Sequence, residues 1–257
     1  MNKSIKNKLK APFFSIITPT LNSKKYLKEC IKTIENQNFK DWEHIFIDSY
    51  STDKTMNILK EYKKRNPSKV FIYQYPKAGI SDAFNKGINH ARGEYINFLG
   101  SDDLLERKSL SLVYNKLIER IYPWCYGDVK KIYTKGKVKV VRYKEFRYES
   151  LFYLFHICHQ SVFMKKNIFE RYGKYDTSLK YAMDHEYFLR IGKKEIPVKI
   201  DEILCSFRKG DNSTTSIFWA SQLLEKRKIN IKYGGIYRII PIWFFFILTY
   251  SKKLILS

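Results

Sequence analysis

Two adjacent carboxylates, Asp102 and Asp103, follow the apolar run Tyr95 to Leu99 after only Gly100 and Ser101. Hard divalent cations take oxygen ligands, and beside phosphate groups they need only one or two from a protein. The pair therefore suits holding Mn²⁺ or Mg²⁺ against a diphosphate. Ser101-Asp102-Asp103 ahead of Leu104 also has the chemistry of a helix cap, and residue types alone leave both readings open. A further carboxylate, Asp48, closes the run His44 to Asp48 and opens Ser49-Tyr50-Ser51-Thr52-Asp53. It can accept a hydrogen bond from a uracil ring nitrogen, or simply begin the turn that leads into the next helix. His159 offers a third polar group, able to reach a phosphate, orient a second substrate or sit satisfied in a half-buried position.

These residues matter only if the chain carries them to one place. Phe13 to Thr18, His44 to Asp48, Val70 to Tyr73 and Tyr95 to Leu99 are short apolar runs of the kind that form strands buried on both faces. Between them lie helical patterns: Tyr26, Leu27, Cys30, Ile31 and Ile34; then Met56, Ile58, Leu59 and Tyr62; then Ser81 to Ala91. Asn22 or Ser23, and Ser51 or Asp53, stand where caps of the first two helices are expected. Strand–helix alternation predicts an α/β fold, a mainly parallel sheet with helices on both faces. In such sheets ligands sit beyond the carboxyl ends of the strands, where Thr18, Asp48 and Gly100 to Asp103 fall. After residue 105 the pattern is mixed: a helix over 108–121, a hairpin around Lys135-Gly136, a helix over 182–191 and a strand near 198–200.

Composition narrows the classes. The 257 residues are 44% hydrophobic and 16% aromatic, enough for a packed core rather than a disordered chain. The formal charge is +23, but the basic residues are scattered. No element clusters them with interleaved aromatics, so no nucleic-acid partner is expected. Solvated faces, or attraction to phosphate-bearing ligands and an anionic membrane surface, account for the charge equally well. The four cysteines are far apart and show neither zinc-ligand spacing nor a disulfide framework, which fits a reduced cytoplasm. Ile239 to Tyr250 is apolar with basic flanks. As a helix it rises about 18 Å, short of a hydrocarbon core of about 30 Å. It reads as an interfacial helix on the inner membrane face or as a helix packed on the protein itself.

Several ordered motifs resemble family 2 inverting glycosyltransferases of the GT-A fold, in the branch that builds bacterial surface polysaccharides. They are Phe14-Ser15-Ile16-Ile17-Thr18-Pro19-Thr20-Leu21-Asn22, Ile47-Asp48-Ser49-Tyr50-Ser51-Thr52-Asp53, Gly79-Ile80-Ser81-Asp82-Ala83-Phe84-Asn85-Lys86-Gly87 and Gly93 to Asp103. His159-Gln160-Ser161, Gly173-Lys174-Tyr175-Asp176 and Asp184-His185-Glu186 continue the series. The resemblance implies a GT-A-like sheet with a nucleotide-sugar half over 12–104. An acceptor-side, mixed α+β half over 105–215 and a C-terminal helical tail over 216–257 complete the expected organisation. It implies base contacts at Thr18 and Asp48, a donor pocket lined by Asp82 and Asn85, ribose and metal contacts at Asp102, and Mn²⁺ or Mg²⁺ on Asp103. Asp184 matches the general base that takes the proton of an acceptor hydroxyl. The implied partners are a nucleotide-sugar donor, with UDP as its nucleotide, and a glycan or lipid-linked saccharide acceptor.

The chain also departs from the pattern. Gly100 stands where the family's first acidic metal position falls, Lys77 and Ala78 where Asp and Lys are usual, and Ser81 where Tyr is frequent. These changes bear on the donor rather than on the reaction. Lys209 to Ser213 has the glycine and polar content of a loop that closes over a donor. A nucleotidyltransferase on a similar sheet would need a glycine-rich phosphate loop after the first strand, and Thr18 to Asn22 has no glycine. Two alternatives remain: a catalytically silent nucleotide- or sugar-binding relative, against which intact Asp48, Asp103 and Asp184 stand, and a basic nucleic-acid-binding protein, whose clustered basic signature the scattered lysines do not show.

Overall fold

The computed structural model describes residues 11–77, 79–153, 157–209 and 218–234. The first strands form where the sequence is most continuously apolar. β1 (Phe14–Thr20) and β2 (Trp42–Asp48) are buried along almost their whole length, as strands covered on both faces must be. β1 lies between β2 and β4 (Tyr95–Phe98), parallel to both, and β3 (Val70–Gln74) extends the sheet beyond β2. The register pairs Ile17 with Ile45 and with Phe98, and Thr20 with Asp48. All four strands therefore end on one rim. Three crossover helices, α1 (Leu27–Glu35), α2 (Thr55–Arg65) and α3 (Ile80–His90), cover the faces. α3 lies so close to β1 that a Cβ on Gly87 would come within 2.3 Å of the Ile17 side chain.

The same sheet continues through the second half of the chain. β8 (Phe163–Lys165) runs antiparallel to β4, and β6 (Trp124–Tyr133) antiparallel to β8. β9 (Val198–Lys209) runs parallel to β6 with a register shift at Gly127 to Val129, and β5 (Leu104–Leu105) closes that edge. The strand order is β3-β2-β1-β4-β8-β6-β9-β5, with β7 (Val138–Val141) paired to β6. The α/β expectation thus holds, with a parallel nucleotide-side half fused to a mixed half in one sheet. α4 (Ser109–Glu119), α5 (Lys166–Tyr172), α6 (Met183–Ile191) and α7 (Trp219–Gly234) complete the seven helices among the described residues.

Three elements differ from the sequence reading. β9 is expected to end near residue 200 but reaches Lys209, because β6 supplies a partner along its whole length. β5 and β8 are two and three residues long, too short for any periodicity to announce them. The expected caps are used otherwise. Neither α1 nor α2 has a side-chain cap; Asn22 and Ser51 instead tie the loop after β1 to the loop after β2. The apolar stretch 239–250 and the loop 210–213 lie outside the described residues. Among those described, no helix is long and apolar enough to cross a membrane.

His44 on β2 is fully buried, sharing a 3.0 Å hydrogen bond with the Thr18 hydroxyl. Burial lowers its pKa to about 3. The folded state therefore keeps His44 neutral while the unfolded chain takes up a proton near pH 6.5. Stability from this group is complete above that pH and is lost as pH falls from about 6.5 towards 3. Between pH 7.5 and 5 one such histidine lowers stability by about 2 kcal/mol. Denaturant unfolding at both pH values checks this: His44→Gln flattens the decline by about that amount. An unchanged decline in the variant refutes it.

Candidate active site

Beyond the strand ends lies a cavity of about 530 Å³. Asp102, Asp103, His159 and Asp184 all line it, so four of the expected site residues, from three separate stretches of sequence, meet there. Asp103 is almost fully buried. Its Oδ2 accepts a hydrogen bond from the Gln160 side-chain amide at 2.9 Å, and its Oδ1 accepts one from the Arg208 backbone N–H at 3.0 Å. Burial, and the charge of neighbouring Asp102, push the Asp103 carboxyl well above the ordinary range. Burial raises Asp102 too, offset in part by the Arg208 guanidinium, which donates to the Asp102 carbonyl at 2.7 Å. Two adjacent carboxylates held out of water in this way favour a cation.

Gly100 has a steric role in this arrangement. A Cβ there would stand 2.5 Å from Asp103 Oδ2 and 3.0 Å from Asp102 Oδ1. With both carboxylates so placed, position 100 has no room for an acidic side chain.

Thr18, Asp48, Asp82 and Asn85 are not among the residues lining the cavity. Thr18 turns into the sheet towards His44. Asp48 is fully buried and accepts from four donors: the Thr20 and Ser51 hydroxyls, the Ser51 N–H and the Gln74 amide. It organises the turn after β2. Asp53 Oδ2 accepts from Lys24 N–H, and Asn22 Oδ1 from Thr52 N–H, so the two rim loops are sewn together by side chains. Asp82 pairs with Lys86 at 2.6 Å along α3. Asn85 makes a two-point bond to the backbone of Tyr175, at 2.9 and 3.0 Å, and the Ser81 hydroxyl donates to Leu179 O at 2.8 Å. α3 thus anchors the segment 175–179. Ser81 reaches that carbonyl with its short side chain, which gives it a local reason to be there.

His159 is buried, stacked on Phe98 and joined to the Tyr175 hydroxyl at 2.7 Å. Burial lowers its pKa to about 4, although Asp184 pulls the other way. It therefore lines the cavity as a neutral ring. Asp184 sits in the first turn of α6 and is half-buried, with Oδ1 accepting from the His185 N–H at 2.7 Å.

The sequence did not mark Gln160, Arg208, Lys180, Tyr181, Gln222 or Lys226 as site residues, yet all line the cavity. Arg208 could have been found by extending β9 along β6, which brings it beside Asp102. Gln222 and Lys226 are four apart on α7 and share a face, a spacing visible in the sequence but without a partner to give it meaning.

The comparisons with known proteins assign the chain to a family of enzymes. Residues 15–173 match the family model described as glycosyl transferase family 2. The chain belongs to that family and is a glycosyltransferase. It is 31% identical over 188 residues to a PGL/p-HBAD biosynthesis glycosyltransferase of Mycobacterium bovis, covering 70% of each chain. It is 33% identical over 109 residues to the putative teichuronic acid biosynthesis glycosyltransferase TuaG of Bacillus subtilis, covering 42% of this chain and 43% of TuaG. Among solved structures, S. aureus TarS 1-349 in complex with UDP-GlcNAc aligns with a TM-score of 0.69 at 19% identity, over 88% of this chain and 69% of that one. The mannosyltransferase PcManGT of Pyrobaculum calidifontis, in complex with GDP-Man and Mn²⁺, aligns with a TM-score of 0.66 at 19% identity, over 90% and 68%. The structural likenesses bear out the GT-A-like fold.

The contact at Gly100 has a measurable consequence. Gly100→Ala displaces the Asp103 carboxylate and lowers sugar transfer by more than about tenfold, since misplacing a site group by an ångström costs about that or more. Thermal unfolding and initial rates, measured together, check it: a fully active variant means that the carboxylate does not need its present position.

Proposed function

We propose that this enzyme transfers a sugar, with inversion at the anomeric carbon, from a nucleoside-diphosphate sugar to a hydroxyl of a glycan or lipid-linked saccharide. The observation that carries the reading is that Asp103 and Asp184 line one cavity from different elements, the loop after β4 and the start of α6. In-line displacement needs a negative centre that gathers the diphosphate's counter-charge and a proton acceptor on the other side of the sugar.

Asp103 and Asp102 would hold a divalent cation, Mn²⁺ or Mg²⁺, which when bound neutralises the leaving diphosphate. The residues fit that group. Their carboxylates are adjacent and disfavoured as bare anions, and each carboxylate offers about four lone-pair directions, of which Asp103 uses two. Among the described residues no three His, Cys, Asp or Glu side chains form a cage, which suits a cation completed by phosphate and water. Lys131 and Lys209 line the same cavity and add positive charge for the diphosphate. Asp184 takes the acceptor proton as the hydroxyl oxygen bonds to the anomeric carbon, and the electron pair of the broken bond leaves on the diphosphate.

Thr18 and Asp48 act one step behind the base. Four donors already occupy Asp48, so a uracil ring nitrogen reaches it only by replacing one of them. Asp48 thus shapes the rim loop on which the base lies. Asp82 and Asn85 likewise serve the donor through α3 and the segment that it anchors. In this reading residues 12–104 carry the donor half and 105–215 the acceptor half; of the expected tail, 216–257, residues 218–234 are among those described. A UDP-sugar is the donor we favour, and TarS in complex with UDP-GlcNAc supports it. A bacterial surface polysaccharide made at the inner membrane face is the proposed setting. The formal charge of +23, which would draw the chain to an anionic lipid surface, and the similarity to the mycobacterial and TuaG glycosyltransferases support that setting.

Isothermal titration with UDP and with GDP, each with and without Mn²⁺, tests this reading. The expected result is Mn²⁺-dependent UDP binding that Asp103→Ala abolishes, together with a fall in kcat of at least about a hundredfold in Asp184→Asn. GDP binding in place of UDP would change the donor. Binding of neither nucleotide would overturn the role given to Asp103.

A further inference from the structure

α6 begins without a cap of its own. Its N-cap residue is Ala182, whose side chain cannot accept a hydrogen bond. The turn that leads into it is instead held from α7. Glu225 lies there with its carboxylate turned to the turn that precedes α6, where Oε1 accepts from Lys180 N–H at 3.0 Å. Its Oε2 accepts from Tyr181 N–H at 2.8 Å and from Ala182 N–H at 3.0 Å. Successive backbone N–H groups gathered on one anion fix a turn in a single conformation, and a negative charge beside a helix N-terminus is favourable.

The rest of the α7 face repeats the attachment. The Gln222 amide donates to Tyr181 O at 2.9 Å. Asn230 bridges the His185 ring at 2.9 Å and Phe152 O at 3.1 Å. Ile229 is buried in the core, and the Tyr233 hydroxyl donates to buried Glu186. Residues 222, 225, 226, 229, 230 and 233 follow helical spacing, so one face of α7 grips α6 and its entry turn. What that turn presents is the cavity wall: Lys180, Tyr181, Met183 and Asp184 all line it. The stretch matching the family model ends at residue 173, so α7 and the turn before α6 both lie outside it.

From this geometry we infer that Glu225 is a positioning residue for sugar transfer, holding the 180–182 turn so that Asp184 faces the acceptor hydroxyl. The inference rests on the reading of Asp184 as the base. Glu225 touches no reacting atom; it acts through the backbone that carries Asp184.

The test is a steady-state comparison of wild type, Glu225→Gln, Asp184→Asn and the double variant, with nucleotide binding and thermal unfolding measured on each. Gln keeps one acceptor oxygen but sets an amide N–H₂ against backbone donors. Glu225→Gln is expected to lower kcat by about ten- to a hundredfold while Mn²⁺-dependent nucleotide affinity stays within about twofold. The double variant is expected to be no slower than Asp184→Asn, because a misplaced base that is already missing costs nothing more. Gln222→Ala, which removes one bond to the same turn, shows a smaller loss in the same direction and serves if Glu225→Gln folds poorly. An unchanged kcat in folded Glu225→Gln, or losses that multiply in the double variant, overturns the positioning role and leaves the base assignment standing. A fully active Asp184→Asn removes the base assignment and the positioning role with it.

Discussion

A buried carboxylate has to be met by donors, and Asp103 is the residue whose burial organises the rest of this molecule. Its two partners, the Gln160 amide and the Arg208 N–H, stand 57 and 105 residues away in sequence. To deliver both, the sheet must run without a break from β4 through β8 and β6 to β9. Gln160 is placed by the turn that leads into β8, where Asn97 on β4 donates to Gln160 O at 3.0 Å and Val162 O at 2.8 Å. The Cys158 thiol, donating to Gln160 Oε1, leaves the amide N–H₂ aimed at Asp103. Arg208 is placed by β9, and its guanidinium is held by Glu29 on α1 and by the face of Tyr26. One carboxylate therefore ties both halves of the fold to the rim.

The rim is built on the same logic with different chemistry. Loops at strand ends leave backbone N–H groups that the sheet no longer satisfies. Here polar side chains of the neighbouring loop take them: Asp48, Asn22, Asp53 and Thr55 bind N–H groups of residues 51, 52, 24 and 23. A surface so cross-linked keeps its shape before any ligand arrives, which reduces the ordering cost of binding. The same polar residues would serve as helix caps in an isolated strand–helix unit. Packing two such units side by side gives them nearer donors.

How much of this the sequence shows depends on how local each signal is. β1, β2 and β4 are legible because a strand buried on both faces is apolar throughout, and Asp102 with Asp103 is legible because strand ends carry ligands in such sheets. Asp184 stands out only through the resemblance, since an Asp near a helix start is ordinary in itself. Arg208 is hidden because β9 beyond Ile200 mixes charged and apolar residues, and only its pairing with β6 keeps it a strand. Glu225 and Lys226 are hidden for a similar reason. Their meaning comes from α7 lying on α6, some forty residues earlier, and a helix face does not announce its partner. Asp48 shows the reverse case, where residue type suggests a ligand contact and packing reveals a turn already satisfied by four protein donors.

On the proposed reading, the charged groups of the cavity divide between the cation and the proton. Asp102 and Asp103 line it beside Arg208, and Asp184 lines it from α6, with Lys226 on α7 lining the same cavity. His159 is the other group of the expected site able to move a proton, but burial keeps its ring neutral to about pH 4 and Tyr175 shares its Nε2. Taking a proton would create a buried cation stacked on Phe98. Asp103, for its part, is committed to Gln160 and Arg208 and stands next to a second carboxylate, so its electrostatic work is to draw a cation. Asp184 is half-buried, accepts at Oδ1 from the His185 N–H of its own helix N-terminus, and lines the cavity. An acid at the helix start is stabilised as an anion by the helix dipole, the state in which it can accept a proton. Within one small cavity, depth of burial therefore separates a carboxylate suited to a cation from one suited to a proton.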